Sequence, residues 1–188
     1  MTIQTQRLVI RDFTRADAEN LYHIAREENI LRFMADWTEG TECPQDYYKF
    51  IDWMRLQKHS KDMHVNKRYA VALRETDEMI GMVGMGLEDA LHEVEVAYFM
   101  AQAHQRQGYT KEALKALVDW IFRVSKVPYL IATIDCANEA SQKTALACGF
   151  ELFEKRTPVN HKQHNMESGS YCYFRRYRPG KNNKEDTV

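Results

Sequence analysis

This sequence has no Cys-x-x-Cys pair, no long apolar run and no surplus of charge of either sign. Its four cysteines, Cys43, Cys136, Cys148 and Cys172, stand far apart. That spacing argues against a zinc site or a dithiol redox motif and leaves them as small core or partly buried residues. No apolar stretch approaches the roughly 20 residues that span a bilayer, and the segment from Met1 to Arg7 lacks the apolar core of a secretory signal. The expected setting is a reducing cytoplasm, with no membrane partner. Lysine and arginine number 26 against 27 aspartates and glutamates, a formal net charge of −1, so no nucleic-acid partner is expected. A basic cluster at Arg175, Arg176, Arg178, Lys181 and Lys184 is followed by Glu185 and Asp186 and reads as a solvated strand end and tail.

Several enzyme motifs are missing as well. There is no Gly-x-Ser-x-Gly elbow and no Gly-Lys-Ser/Thr loop, which leaves hydrolase and nucleotide-triphosphatase readings without support. The histidines pair at short range, His59 with His64 and His161 with His164, but no cysteine or carboxylate cluster completes a ligand set, so no metal is expected. Internal repeats and low-complexity segments are also lacking.

What is present is a chain of 188 residues, 44% hydrophobic and 28% charged, enough for one sizeable core. One domain is expected over 1–179, with 180–188 as a disordered tail. Leu8 and Ile10 alternate with polar neighbours in a strand over 7–12. Thr14 is placed to cap a helix with Asp17 in its first turn and a stripe of Ala18, Leu21, Tyr22 and Ala25. Helical turns follow within 29–33 and 45–57. Between them lies an aromatic, acidic loop with Asp36, Trp37, Glu39 and, just beyond it, Glu42, of a kind that lines ligand clefts or packs on the core. Strands over 68–74, 79–87 and 93–100 are spaced as an antiparallel meander. Leu114, Leu117, Val118, Ile121 and Phe122 recur at helical intervals. A strand over 129–135 leads to a helix that Asn138 opens and Gly149 ends. Strands over 150–155 and 170–177 complete the sheet.

The run His104-Gln105-Arg106-Gln107-Gly108-Tyr109-Thr110 opens directly into a helix. Unpaired backbone N–H groups and the helix dipole make such a turn able to hold a pyrophosphate, with Gly108 allowing close approach. The plainer reading is an ordinary loop-to-helix junction.

Three segments in order carry a family resemblance. The strand Glu95-Val96-Ala97-Tyr98-Phe99-Met100, the turn Gln105-x-x-Gly108-Tyr109-Thr110 with Glu112-Ala113, and Asn138-x-x-Ser141 ending at Cys148-Gly149-Phe150 together resemble the GCN5-related N-acetyltransferase (GNAT) family. Thr5-Gln6-Arg7-Leu8-Val9-Ile10-Arg11 is similar to the opening of the branch that acetylates the N-termini of ribosomal proteins. The chain departs from the family in Thr110, where Gly or Ala is usual. It departs from the branch in Gln105 and Arg106, where Trp and Gly are usual, and most of all over 157–170, so acceptor recognition does not carry over.

The resemblance implies an α/β single domain with a mixed, mostly antiparallel twisted sheet of about seven strands flanked by helices. Two neighbouring parallel strands would splay apart to bind acetyl-CoA. The pantetheine arm would lie on the backbone of Tyr98, Phe99 and Met100. The pyrophosphate would lie at Gln105, Arg106, Gln107, Gly108, Tyr109 and Thr110. Asn138 would contact the arm, or serve only as a helix cap, and Lys143 would face the adenosine phosphate or simply stand in solvent. The reaction implied is direct acetyl transfer to a primary amine, on a protein N-terminus or a small molecule. Dimers form in this family through sheet edges or the C-terminal strand.

Transfer to an amine needs a proton acceptor, a stabilised oxyanion and a proton for the thiolate. Glu95 is the candidate base; Glu93 shares its face by strand alternation, and both read equally as solvent-facing. Ser141, one turn beyond Asn138, is the candidate partner of the sulfur, with Tyr171 or Tyr173 as the alternative donor. A different class also fits the sequence: a noncatalytic acyl-CoA-binding module or scaffold on the same fold.

Overall fold

The computed structural model describes residues 1–157 and 169–180. Of the expected tail over 180–188, residues 181–188 lie outside the described residues, as do 158–168 of the departing segment over 157–170, with His161 and His164. Eight strands form one sheet: β1 (Thr2–Gln4), β2 (Leu8–Arg11), β3 (Lys67–Leu73), β4 (Met79–Glu88), β5 (Glu93–Met100), β6 (Tyr129–Asp135), β7 (Glu151–Arg156) and β8 (Tyr171–Tyr177). They run in the order β1-β2-β3-β4-β5-β6-β8-β7. The count exceeds the sequence expectation by β1, a three-residue edge strand too short to show alternation.

Every neighbouring pair is antiparallel except β5 and β6, which are parallel and register at one pair, Glu95 with Ile131. A parallel pair requires a crossover, supplied by α4 (Tyr109–Val124). Helices α1 (Ala18–Ala25), α2 (Glu28–Met34) and α3 (Tyr47–Gln57) belong to the first half of the chain, and α5 (Glu139–Ala147) follows β6.

The packing makes three layers. On one face α4 buries Leu114, Leu117, Val118 and Ile121 against Leu8, Val71, Val83, Val96 and Leu130, each contributing roughly 1.5–3 kcal/mol by leaving water. On the other, α1 and α3 bury Leu21, Ile24, Tyr47 and Ile51 against Ala70, Met82 and Phe99. The cap predicted at Thr14 is present, but it opens a 3-10 turn over Arg15–Asp17, and α1 begins only at Ala18. Thr14 donates its N–H and hydroxyl to the Asp17 carboxylate at 2.7 and 2.9 Å, and Arg11 grips both carboxylate oxygens. At the other end of the chain, α5 stops at Cys148 and Gly149, the latter at φ +81°, a left-handed conformation suited to glycine.

Candidate active site

Two helices, α4 and α5, begin beside the gap between β5 and β6, and their first turns differ. The N-cap of α4 is Gly108 at φ +81°, and no side chain caps it. The N–H groups of Tyr109, Thr110 and Lys111 therefore have no carbonyl of their own helix to meet. Arg106 is also left-handed, at φ +59°. This strained turn is held from behind. Arg7 donates to the Gln107 carbonyl at 2.9 Å, pairs with Glu112 at 2.8 Å and covers the Tyr109 ring at 4.4 Å. The Glu112 carboxylate also accepts from the Thr5 hydroxyl and the Arg7 backbone N–H. Gln105 reaches back to the Met100 carbonyl at 3.0 Å, fixing the turn to the end of β5.

A cavity of about 240 Å³ opens here, lined by Tyr98, Phe99, Met100, Gln105, Arg106, Thr110, Asn138 and Ser141 together with residues of α2 and α5. Gln107, Gly108 and Tyr109 are not among its lining residues. Lys143 is exposed and paired with Glu139 at 3.2 Å, outside the lining. On its β4 side β5 is fully paired through Met100, whereas on the β6 side registration ends at Glu95, so backbone polar groups of 96–100 face the gap.

The first turn of α5 is capped. Asn138 accepts from the Ser141 N–H at 3.1 Å, and it lines the cavity as well, so the cap and a contact to a ligand are compatible. Ser141 Oγ donates to the Tyr98 hydroxyl at 2.9 Å, and that hydroxyl donates to the Ser141 carbonyl at 3.1 Å. Burial pushes the Tyr98 phenol well above its ordinary value, against the hydrogen bond from Ser141. It is a protonated hydroxyl at neutral pH. Sequence reading gave Tyr98 only a backbone role; strand alternation sends its side chain opposite to Glu95, toward α5, but the contact with Ser141 is tertiary.

A second cavity, about 160 Å³, continues from the first and shares Phe33, Met34, Tyr98, Asn138 and Ser141 with it. Glu95 lines it, one carboxylate oxygen accepting from the Thr133 N–H at 3.0 Å and from the Thr133 hydroxyl. Asp36, Trp37 and Arg68 connect it to a third cavity of about 260 Å³ bounded by Glu39, Tyr47, Phe50, Trp53 and Asn66 among others. Of the acidic loop residues singled out in the sequence, Glu42 is absent from this lining. Trp37 is held edge-on by Phe50 and Phe99, at 5.3 and 4.9 Å between centroids.

The alternative catalytic residues lie elsewhere. Glu93 is enclosed by the hydroxyls of Tyr129 and Tyr173, each at 2.6 Å, and by Arg175 at 3.3 Å. Tyr173 is fully buried in that cluster, and neither it nor Tyr171 lines any of the three cavities. Asn29 and Arg68 line the cleft although sequence reading passed over both. For Arg68 a signal existed: it follows Lys67 at the start of an otherwise apolar strand. Among the described residues no group of three or more His, Cys, Asp or Glu side chains is placed to hold a metal ion, and no helix is long and apolar enough to cross a membrane.

Known proteins share this architecture. Residues 7–151 match the family model described as the acetyltransferase (GNAT) domain. The uncharacterised N-acetyltransferase YnaD of Bacillus subtilis is 26% identical over 84% of this chain and 89% of its own. A Vibrio cholerae protein assigned as a ribosomal-protein-serine acetyltransferase is 25% identical, with a TM-score of 0.71 over 94% of this chain and 97% of that one. RimL, a ribosomal L7/L12 α-N-protein acetyltransferase solved with coenzyme A, shares the fold at 16% identity, with a TM-score of 0.77 over 94% of this chain and 98% of its own. With the split sheet, the uncapped turn and the matched span together, the chain belongs to the GNAT acetyltransferase family and is by class an N-acetyltransferase.

Proposed function

We propose that the chain moves an acetyl group from acetyl-CoA directly to a primary amine while both are bound. The observation that carries this reading is the cleft between β5 and β6, which runs from the uncapped turn of α4, past Tyr98 and Ser141, to Glu95. A second feature fits the cofactor. The Asn29 side-chain oxygen is the one buried side-chain polar atom among the described residues without a hydrogen-bond partner, and Asn29 lines the first cavity. Leaving such an acceptor unmet costs roughly 1–3 kcal/mol, and an amide N–H of a pantetheine arm would meet it.

The residues divide the work by position. The first-turn N–H groups of α4 and Arg106 would hold the pyrophosphate, and the backbone of Tyr98 to Met100 the arm. Bound acetyl-CoA supplies an acetyl group activated as a thioester. Glu95, oriented by Thr133, takes a proton from the acceptor ammonium, directly or through water. The amine nitrogen bonds to the acetyl carbon, the C–S bond breaks, and the sulfur is protonated from the Tyr98–Ser141 hydroxyl pair, which regains the second proton that the nitrogen sheds as the amide forms. Asp36, Trp37 and Glu39 give the third cavity the acidic, aromatic wall that suits an amine arriving from the opposite side.

The acceptor is a peptide N-terminus, as the description of the Vibrio cholerae relative supports, or a small amine with the same end group. A cytoplasmic setting and a homodimer through the β7 edge belong to the same reading. The dimer is supported by Leu152 and Phe153, about half exposed on that strand; a one-chain mass in light scattering would remove it.

Calorimetric titration of acetyl-CoA into the wild type and into Gly108→Glu tests the function. A glutamate there is strained at φ +81° and sets negative charge where phosphate would sit. The wild type should bind and the folded variant should not. Absence of binding to the folded wild type would leave a shared fold without the activity. Binding without transfer to any amine, unchanged by replacing Glu95, would mark a noncatalytic acyl-CoA module instead.

A further inference from the structure

Arg68 stands where the second and third cavities meet and lines both. Its Nη1 donates to the Met85 carbonyl at 2.7 Å and to the Lys67 carbonyl at 3.3 Å. Among the described residues no acceptor meets its Nε or Nη2, yet neither nitrogen is a buried orphan, so both keep hydrogens accessible to the cavities. The fold makes room for this arrangement. Arg68 registers opposite Gly84 on β4, and a Cβ at Gly84 would stand 2.4 Å from Arg68 Cδ and 2.5 Å from the Lys67 carbonyl. Two residues along, a Cβ at Gly86 would fall 1.8 Å from the side-chain oxygen of Asn66, which also lines the third cavity. Two glycines on one face of β4 thus seat two polar side chains in the cavity wall. A guanidinium with unused N–H groups, so seated, is a donor built for an oxygen of the acceptor.

The charge balance decides which oxygen. Among the described residues the two cavities are lined by four carboxylates, Asp36, Glu39, Glu95 and Asp135, and by one guanidinium. Burial pulls Arg68 below its ordinary value, and the carboxylates Glu95 and Asp36 act against that pull. An acceptor carboxylate would add a fifth negative group to a partly desolvated site. An ammonium reduces the imbalance, and a neutral oxygen beside it takes the unused N–H groups at no cost in charge. The third cavity, at about 260 Å³ with Trp37, Phe50 and an exposed-edge Trp53, holds one apolar or aromatic side group rather than a folded surface.

We propose that Arg68 is a specificity-determining residue that hydrogen-bonds a neutral carbonyl oxygen adjacent to the reacting amine, so that the acceptor class is an α-amino amide. Free α-amino acids and plain alkylamines are the disfavoured relatives. This rests on the acetyltransferase reading above and narrows its acceptor.

The test compares L-phenylalaninamide, L-phenylalanine and phenethylamine, which share an amine and a phenyl group and differ in carrying a carboxamide, a carboxylate or neither. Binding to the coenzyme-A-loaded protein by calorimetry and kcat/KM with acetyl-CoA are read together. A site that hydrogen-bonds a substrate oxygen rejects the analogue lacking it, so the amide should exceed phenethylamine by roughly 10- to 100-fold, with the free acid below both. In Arg68→Met, and in Gly84→Ala where the new methyl displaces the guanidinium, the ratio of amide to phenethylamine should fall to within about threefold. The wild-type ranking stands without the variants if either fails to fold. A peptide beginning with phenylalanine that matches or exceeds the amide points to a chain end as the source, and one that trails it to a small amide; both support the class. Equal use of amide and phenethylamine, preference for the free acid, binding of none of the three, or an unchanged ratio in the variants overturns it. Transfer without discrimination would overturn the role of Arg68 alone, whereas failure of acetyl-CoA to bind would overturn the function beneath it.

Discussion

Glu93 and Glu95 are the same residue type, two positions apart on β5 and on the same face of the sheet, yet the fold treats them oppositely. Glu93 sits where the sheet is closed. Tyr129 from β6 and Tyr173 and Arg175 from β8 converge on it, and burial together with the Glu93 carboxylate pushes the Tyr173 phenol well above its ordinary value. Glu95 sits at the one pair that registers between β5 and β6, with Thr133 holding one oxygen, and it lines the cleft. A carboxylate enclosed by three donors is a structural anchor, whereas one at the edge of a cleft is placed to exchange protons with a ligand. Position relative to the splay, not residue type, separates the two.

Substitutions should pull the pair apart. Glu95→Gln is expected to lower kcat/KM by roughly 10²–10⁴, the usual worth of a positioned base, with little change in melting temperature. Ser141→Ala should lower turnover by roughly 10-fold or more while acetyl-CoA affinity changes little; equal loss in both, or none, would remove Ser141 from the chemistry. Glu93→Gln should leave turnover within a few-fold but cost about 1–3 kcal/mol of stability by removing the charge opposite Arg175 and one of the two oxygens that accept from Tyr129, Tyr173 and Arg175, read as a lower denaturation midpoint.

The smallest effect concerns the turn itself. Burial acts to raise the Glu112 carboxyl, but the Thr5 hydroxyl and the Arg7 N–H and guanidinium together hold it below its ordinary value. A depressed carboxyl stabilises the fold above the ordinary carboxylate range, near pH 4.3, and loses that contribution as pH falls through the folded value. Glu112→Gln should therefore cost about 1 kcal/mol near neutral pH, and its melting temperature should converge on the wild type's in acid. A constant gap at every pH would assign Glu112 a packing role only.

Much of this arrangement was legible in the sequence, for local reasons. The turn over 105–110, the helix that follows it, the Asn138 cap and the Gly149 stop are set by residues within one or two turns of each other. The meander from β3 to β5 shows in its spacing. What was hidden depends on contacts distant in sequence. That β8 inserts between β6 and β7 follows from pairing rather than pattern. Alternation puts Glu93 and Glu95 on one face and cannot say that Tyr173 and Arg175 will close over one of them. The Tyr98–Ser141 pair and the seat of Arg68 over Gly84 likewise need the sheet assembled first.

The most direct test of the division between the two carboxylates is the pH dependence of kcat/KM with one amine acceptor for the wild type, Glu95→Gln and Glu93→Gln. If Glu95 is the base, the wild type and Glu93→Gln share an acid limb, where activity falls as the carboxylate protonates, and Glu95→Gln loses both the limb and most of the activity. An acid limb that persists in Glu95→Gln at near wild-type rate, or that disappears in Glu93→Gln, would contradict it.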